Sequence, residues 1–302
     1  MINLMFDEEN IEKHIGPLKK DSSVDNLKEA SDFFLKEMEK YPTKTSYDCT
    51  AREFPYFKTI NYTEYAGCLL INPLQQELRV QQIYDAMYDD VEIKTDFIPS
   101  FVERVNNKGA NKYSDRKDPT MFKKNLVVLP GSNVLKKLVC LNKLKRIADS
   151  GDVVFKPHPI TIHAIIGELK DTLGDENVAD RDEDIYPILL AADKIYTSHV
   201  SETALYSACL GKQIEPIDDY RFVESGSFFN INRFLFTQED PKGFINKIMN
   251  SCKSGLISPT ADPDWKDKII GYLKYIHKER NKHDKFYIEP DSGEGVNQTT
   301  RS

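Results

Sequence analysis

Asp152-Val-Val-Phe-Lys-Pro-His-Pro159 is an apolar run that ends in a cation, an imidazole and two prolines, with a helical pattern from about residue 160. Read as a strand, it delivers Lys156 and His158 to its carboxyl end, the edge at which open α/β sheets bind ligands. Pro157 and Pro159 fix φ on either side of His158 and restrict the residues before them, so the imidazole sits on a stiff corner. A stiff corner with a lysine and a histidine suits a phosphate or diphosphate. The same residues also suit an ordinary strand-to-helix turn with a surface histidine, so the neighbouring segments matter.

Upstream, Leu126-Val-Val-Leu129 reads as a second strand, leading into the loop Pro130-Gly-Ser-Asn133 and a helix to about Asp149. Downstream come a short helix over 184–193, a strand over Lys194–Thr197, the turn Ser198-His-Val200, a helix over 201–210 and a strand over 213–217. Ser201 is an N-cap residue type, and Gly211 stands where a helix end needs a left-handed residue. Strands alternating with helices predict a parallel, doubly wound sheet from residue 125 to about 240.

Three pieces carry a resemblance: Lys156-Pro-His-Pro159, the Asp184-Ile-Tyr…Leu-Leu…Ala-Asp193 helix, and the Ser/Thr-rich turn into the 201–210 helix. Over roughly 125–220 they resemble the nucleotide-sugar-binding domain of GT-B glycosyltransferases of the His-Pro-motif kind. That group includes polysialyl- and Kdo-transferases and the glycerophosphotransferases of teichoic acid synthesis. The resemblance implies an α/β fold, GT-B-like, of two Rossmann-like domains with a cleft between them. Here that divides into a small acceptor-side domain over 1–123, a donor domain over 124–260, a terminal helix over 261–288 packing back on the first domain, and a tail over 289–302.

The implied donor is a nucleotide sugar, UDP- or CMP-linked, bound as a substrate, with no cofactor and no catalytic metal. The positions matching the family's phosphate contacts are His158 and Ser201. Cleaving a sugar–phosphate bond builds negative charge on the phosphate, and preorganised donors there lower the barrier. Lys156 and Thr203 add charge and a hydroxyl, the free N–H groups at the helix start add a partial positive charge, and Gly131, Ser132, Ser198 and His199 complete the expected donor set. Glu202 departs from this pattern, because an acid beside a phosphate repels it unless it points elsewhere, for example at a ribose hydroxyl.

The acids of 180–184 have the oxygen ligands a divalent ion needs. A solvated loop with Asp184 as a helix N-cap accounts for them equally, and no metal is expected. The five cysteines, at 49, 68, 140, 209 and 252, show no close pairing, which argues against a zinc site or disulfide framework and for a reducing, cytoplasmic compartment. With a net charge of −7 the chain has no global basic field for nucleic acid or membrane. No apolar run approaches the roughly 20 residues of a membrane span.

The first 120 residues are less patterned. Strands are expected at 1–6, 68–71 and 91–98, helices at 24–40 and 73–88, and a loop and linker at 106–124. The resemblance puts the acceptor site and the catalytic base here, the base being an Asp or Glu that takes the acceptor's proton. Asp48 and Glu53, in a loop-like stretch, lead over Asp7, Glu64 and Glu77. Lys44, Arg52, Tyr56 and Lys58 belong to a stretch in which cations alternate with aromatics, a mixture suited to phosphates and exposed bases. In overall character the chain is also similar to the phage enzymes that glycosylate 5-hydroxymethylcytosine in DNA, so double-stranded DNA is an expected partner. A capsule or polyol-phosphate transferase, a sugar-nucleotide epimerase or hydrolase, and a non-catalytic binding protein remain the alternatives.

Overall fold

A computed structural model describes residues 25–47, 59–107, 116–131, 135, 139–218 and 228–287. Two four-stranded sheets organise them. The second, built from the stretch quoted above, comprises β4 (Asn125–Val128), β5 (Val153–Lys156), β6 (Lys194–Thr197) and β7 (Gln213–Pro216) in the order β5-β4-β6-β7. All three pairings are parallel. Alternating side chains bury both faces, as such sheets require. Val127, Leu129, Val153 and Phe155 join α4 (Leu141–Asp149) and α5 (His163–Leu173) on one side. On the other, Leu126, Val128, Val154 and Ile195 meet α6 (Ile185–Ala191) and α7 (Thr203–Cys209).

From β4 the chain moves to β5 on one side and then crosses to β6 on the other. The order therefore reverses between β4 and β6, and ligands bind in the crevice at the carboxyl end of such a switch point.

The first sheet differs from the expected second Rossmann-like unit. It contains β1 (Lys44–Tyr47), β2 (Thr59–Tyr65), β3 (Cys68–Pro73) and β8 (Leu256–Ile257), in that order. Only β1 and β2 run parallel; β2–β3 and β3–β8 are antiparallel. The reason is local. Ala66 and Gly67 both take positive φ, 53° and 76°, the two-residue pattern of a tight hairpin turn. A Cβ on Gly67 would also fall 2.1 Å from the Arg104 guanidinium carbon.

Around this sheet lie α1 (Asp25–Met38), α2 (Gln76–Met87) and α10 (Trp265–Tyr287). Leu27, Ala30 and Phe34 pack with Ile60, Leu69, Ile71, Ile269, Leu273 and Ile276. A further core joins the two sheets, running from Tyr65, Cys68 and Leu70 through α3 (Ile98–Asn106), α8 (Phe229–Leu235) and α9 (Pro241–Asn250) to Leu126 and Ile195.

One expectation is corrected. Residues 91–97 alternate like a strand but form none. Asn250 Oδ1 accepts from the N–H of Lys94 and Thr95, and Asn246 Oδ1 from that of Phe97, so side-chain amides of α9 replace a partner strand. Residues 116–124 have no helix or strand, as expected of a loop, and Lys117 N donates to Asp182 O and Asp184 N to Lys117 O, tying Lys117 to the 182–184 loop.

Candidate functional site

The described residues that directly follow β4, β5, β6 and β7 leave one edge of the parallel sheet, and they include most of the residues expected to hold a donor. Gly131 follows β4. Lys156 ends β5 and His158 follows it. Ser198, His199, Ser201, Glu202 and Thr203 follow β6.

Asp218, just past β7, is the hub of the β6 loop. Its carboxylate accepts from Ser198 Oγ, from the His199 N–H at 3.1 Å, and contacts His199 Nδ1 at 2.5 Å. The Asp218 side chain is fully buried and that of His199 nearly so, with the rings of Phe229 and Phe236 packed against the imidazole. A carboxylate on Nδ1 fixes the ring orientation and leaves Nε2 as the nitrogen that Asp218 does not engage.

A second set is a relay of hydroxyls. Thr197 Oγ1 lies 2.7 Å from Thr203 Oγ1, which lies 2.7 Å from Ser201 Oγ. Ser201 Oγ also accepts from the Thr203 N–H at 3.3 Å, but Ser201 is not the N-cap expected of it: the helix begins at Thr203, its N-cap position is Glu202, and no side chain caps it. At the other end, Lys212 N bonds Ser207 O and Gly211 N bonds Ala208 O, with Gly211 at φ +73°. This left-handed closure satisfies the last carbonyls and turns the chain into β7.

The loop is held from outside by Asn232 on α8, whose Nδ2 donates to His199 O at 2.7 Å and to Ser201 O at 2.9 Å. Asn232 Oδ1 in turn accepts from Tyr65 OH, at the end of β2, at 2.6 Å. Tyr65 is fully buried, and burial first, then the charge of Glu202, pushes its phenol well above the ordinary range. Tyr186, also buried, is raised in the same direction by burial, then Tyr206, then Glu202.

On β5, His158 Nδ1 accepts from the Ile160 N–H at 3.3 Å and His158 O from Thr161 N at 2.9 Å. The imidazole is half-buried on its proline corner. Lys156 turns inward. Its Nζ donates to Pro157 O at 2.9 Å and Arg181 O at 2.8 Å. Burial, reinforced by the neighbouring Arg116 charge, lowers its pKa to about 7. In this arrangement the ammonium braces the 180–184 loop.

The acids of that loop are also engaged. Asp180 accepts from the Asp182 N–H at 2.9 Å, and Glu183 Oε1 from Thr120 Oγ1 at 2.7 Å. Asp184 Oδ1 caps α6 through Tyr186 N at 3.1 Å. Among the described residues no group of three or more His, Cys, Asp and Glu could hold a metal ion.

Asp218, Asn232 and Tyr65 were not anticipated. Asp218 had one signal, since it ends a strand just as Lys156-Pro-His158 does; Tyr65 and Asn232 had none, being brought in by tertiary packing. Lys44 is exposed on β1. Asp48, Arg52, Glu53, Tyr56, Lys58 and Ser132 lie outside the described residues, as does Asp7.

No family model matches the sequence, and neither does any curated protein. Five chains of solved structures match. One is the wall teichoic acid polymerase TagF, soaked with CDPG, at 12% identity and a TM-score of 0.27 over 83% of this chain. This chain spans 60% of the length of that one. A score of 0.27 does not equate the two folds. No helix among the described residues is long and apolar enough to cross a membrane.

Proposed function

We propose that the protein is a metal-independent glycosyltransferase that moves a sugar from a nucleotide sugar, UDP- or CMP-linked, to an acceptor hydroxyl. The observation that carries this reading is the cluster Asp218–His199–Ser198 with Thr197–Thr203–Ser201, at the carboxyl edge beside the switch point of a parallel sheet. His158 stands on the same edge, two strand spacings from β6, roughly 10 Å. A nucleoside diphosphate spans such a gap.

In this reading His158 and the Ser201 hydroxyl stabilise charge on the departing phosphate. Asp218 orients His199, whose Nε2 takes a proton from the acceptor as a general base does. The split into an acceptor side up to about 123 and a donor side beyond it belongs to the same proposal. So does 5-hydroxymethylcytosine in double-stranded DNA as acceptor, which is supported by the cation and aromatic mixture around Lys44. Transfer of a polyol phosphate is the second reading, because the same cluster would serve a diphosphate donor such as the CDPG soaked into the polymerase named above.

The test incubates hydroxymethylcytosine DNA with the protein and a pool of UDP- and CMP-sugars, then reads nucleoside masses. A pentose or hexose adduct is expected. Both His158→Ala and Asp218→Asn should lower its rate by at least about 100-fold, the usual scale for a positioned acid, base or oxyanion donor. Nucleotide release without an adduct would point to hydrolysis or epimerisation. Nucleotide binding without any turnover would reject the transferase.

A further inference from the structure

A groove lies on the surface of α10, where it meets the segment before β1, apart in sequence from the carboxyl-edge cluster. It is lined by Tyr41, Lys274, His277, Lys278, Asn281 and Lys282, with a volume of about 560 Å³. That is the size range of small-ligand sites. Lys274, Lys278 and Lys282 recur every four residues along α10, so their ammonium groups stand about 6 Å apart along one face. All three are exposed. Lys282 Nζ contacts Glu279 at 2.6 Å, whereas among the described residues Lys274 and Lys278 have no ion-pair partner. The apolar face of α10 (Ile269, Leu273 and Ile276) is consumed in the core, so the exposed face has no apolar side chains to insert into a lipid surface.

One wall is aromatic and rigid. The Tyr41 and His277 rings stack at 4.0 Å and 4°. Arg280 Nη1 donates to Thr43 Oγ1 at 3.0 Å, and Thr43 N to Tyr41 O at 2.8 Å. These bonds pin the segment before β1 to α10 and leave exposed Lys44 beside it. Burial, then the Arg280 charge, lowers the His277 pKa to about 4, so the stacked imidazole is neutral at pH 7. Its Nε2 is buried and lacks a hydrogen-bond partner among the described residues.

We infer that this groove binds a single strand of nucleic acid, the lysine ladder tracking its phosphates and the Tyr41–His277 stack receiving a base. Cations along a groove with an aromatic platform are the combination that holds single strands without sequence preference. A phosphate polymer without bases would use the ladder and ignore the stack, which separates the two. The inference does not rest on glycosyl transfer, and His158→Ala should leave it intact.

The experiment is fluorescence anisotropy with a labelled oligothymidylate of roughly 12 nucleotides, within the usual range of single-strand site sizes, titrated at several salt concentrations. The unmodified protein should bind. Changing Lys274, Lys278 and Lys282 together to Gln should weaken binding at least tenfold and reduce the slope of log K against log salt by about 2, the value for three phosphates on a single strand. Tyr41→Leu should weaken it about tenfold with the slope unchanged. Lys145→Gln, an exposed lysine on α4, serves as control. The double Lys274→Gln/Lys278→Gln variant, which keeps the Lys282–Glu279 pair, serves if the triple variant melts early. No binding, or an unchanged slope in the lysine variants, would overturn the site. Normal affinity in Tyr41→Leu, with inorganic polyphosphate competing fully, would overturn the nucleic acid as its occupant.

Discussion

Lys156 displays a conflict that the chain resolves by hydrogen bonding. An ammonium that is 2% exposed is costly to charge, and the two carbonyls it reaches meet part of that cost. Its folded-state pKa, about 7, lies below the ordinary 10.5. Between those values the unfolded chain carries the extra proton, so this group makes stability rise with pH across that window. Below about 7 both states are charged and the full penalty remains. Comparing the protein with Lys156→Met in urea at pH 7 and pH 9 should show the difference moving in favour of the lysine by on the order of 2 kcal/mol. A pH-independent difference would mean that Lys156 keeps an ordinary pKa. The proline corner that bears it was readable from residue types alone. The inward turn of Nζ was not, because Arg181 reaches it from 25 residues away.

The short helices of the second sheet are delimited by their end residues. Asp184 was legible as a cap from its place before Ile185, and its carboxylate accepts from Tyr186 N. Asp184→Ala should cost about 1 kcal/mol, read as a lowered urea midpoint, with turnover unchanged. Loss of turnover that Mn²⁺ restores would mean instead that Asp184 is a metal ligand. Strand β6 was read with the bounds it has, since its neighbours are unambiguous turn and helix residues. Strand β2 was missed for a physical reason: Thr59, Asn61 and Thr63 are buried along with Ile60 and Tyr65, so its polar residues blur the alternation that would mark a strand. Strand β8, of two residues, is too short to carry any periodicity.

Across the whole molecule, one chain of hydrogen bonds ties the first sheet to the candidate site: Tyr65 OH to Asn232, and Asn232 to the carbonyls of His199 and Ser201. Tyr65→Phe removes the donor and leaves Asn232 Oδ1 buried without it, at a cost of roughly 1–3 kcal/mol. Because Asn232 also positions the β6 loop, nucleotide affinity should fall together with stability, measured by denaturation and calorimetric titration of the same variant. A loss of stability with full affinity would mean that the bond braces the two sheets without tuning the site.

By itself the sequence determined the parallel half of the molecule: its strands, the Asp184 cap and Gly211 closure, and the delivery of His158 and of Ser198–Thr203 to one edge. Those features follow from local pattern, from proline and glycine geometry, and from the direction a strand must run. Only the tertiary structure decided that Asp218 would orient His199, that Lys156 would face inward, that the first sheet would be mixed, and that Tyr41 would stack on His277. Each depends on residues distant in the chain meeting at one point, where burial and hydrogen-bond satisfaction act over separations that no local pattern records.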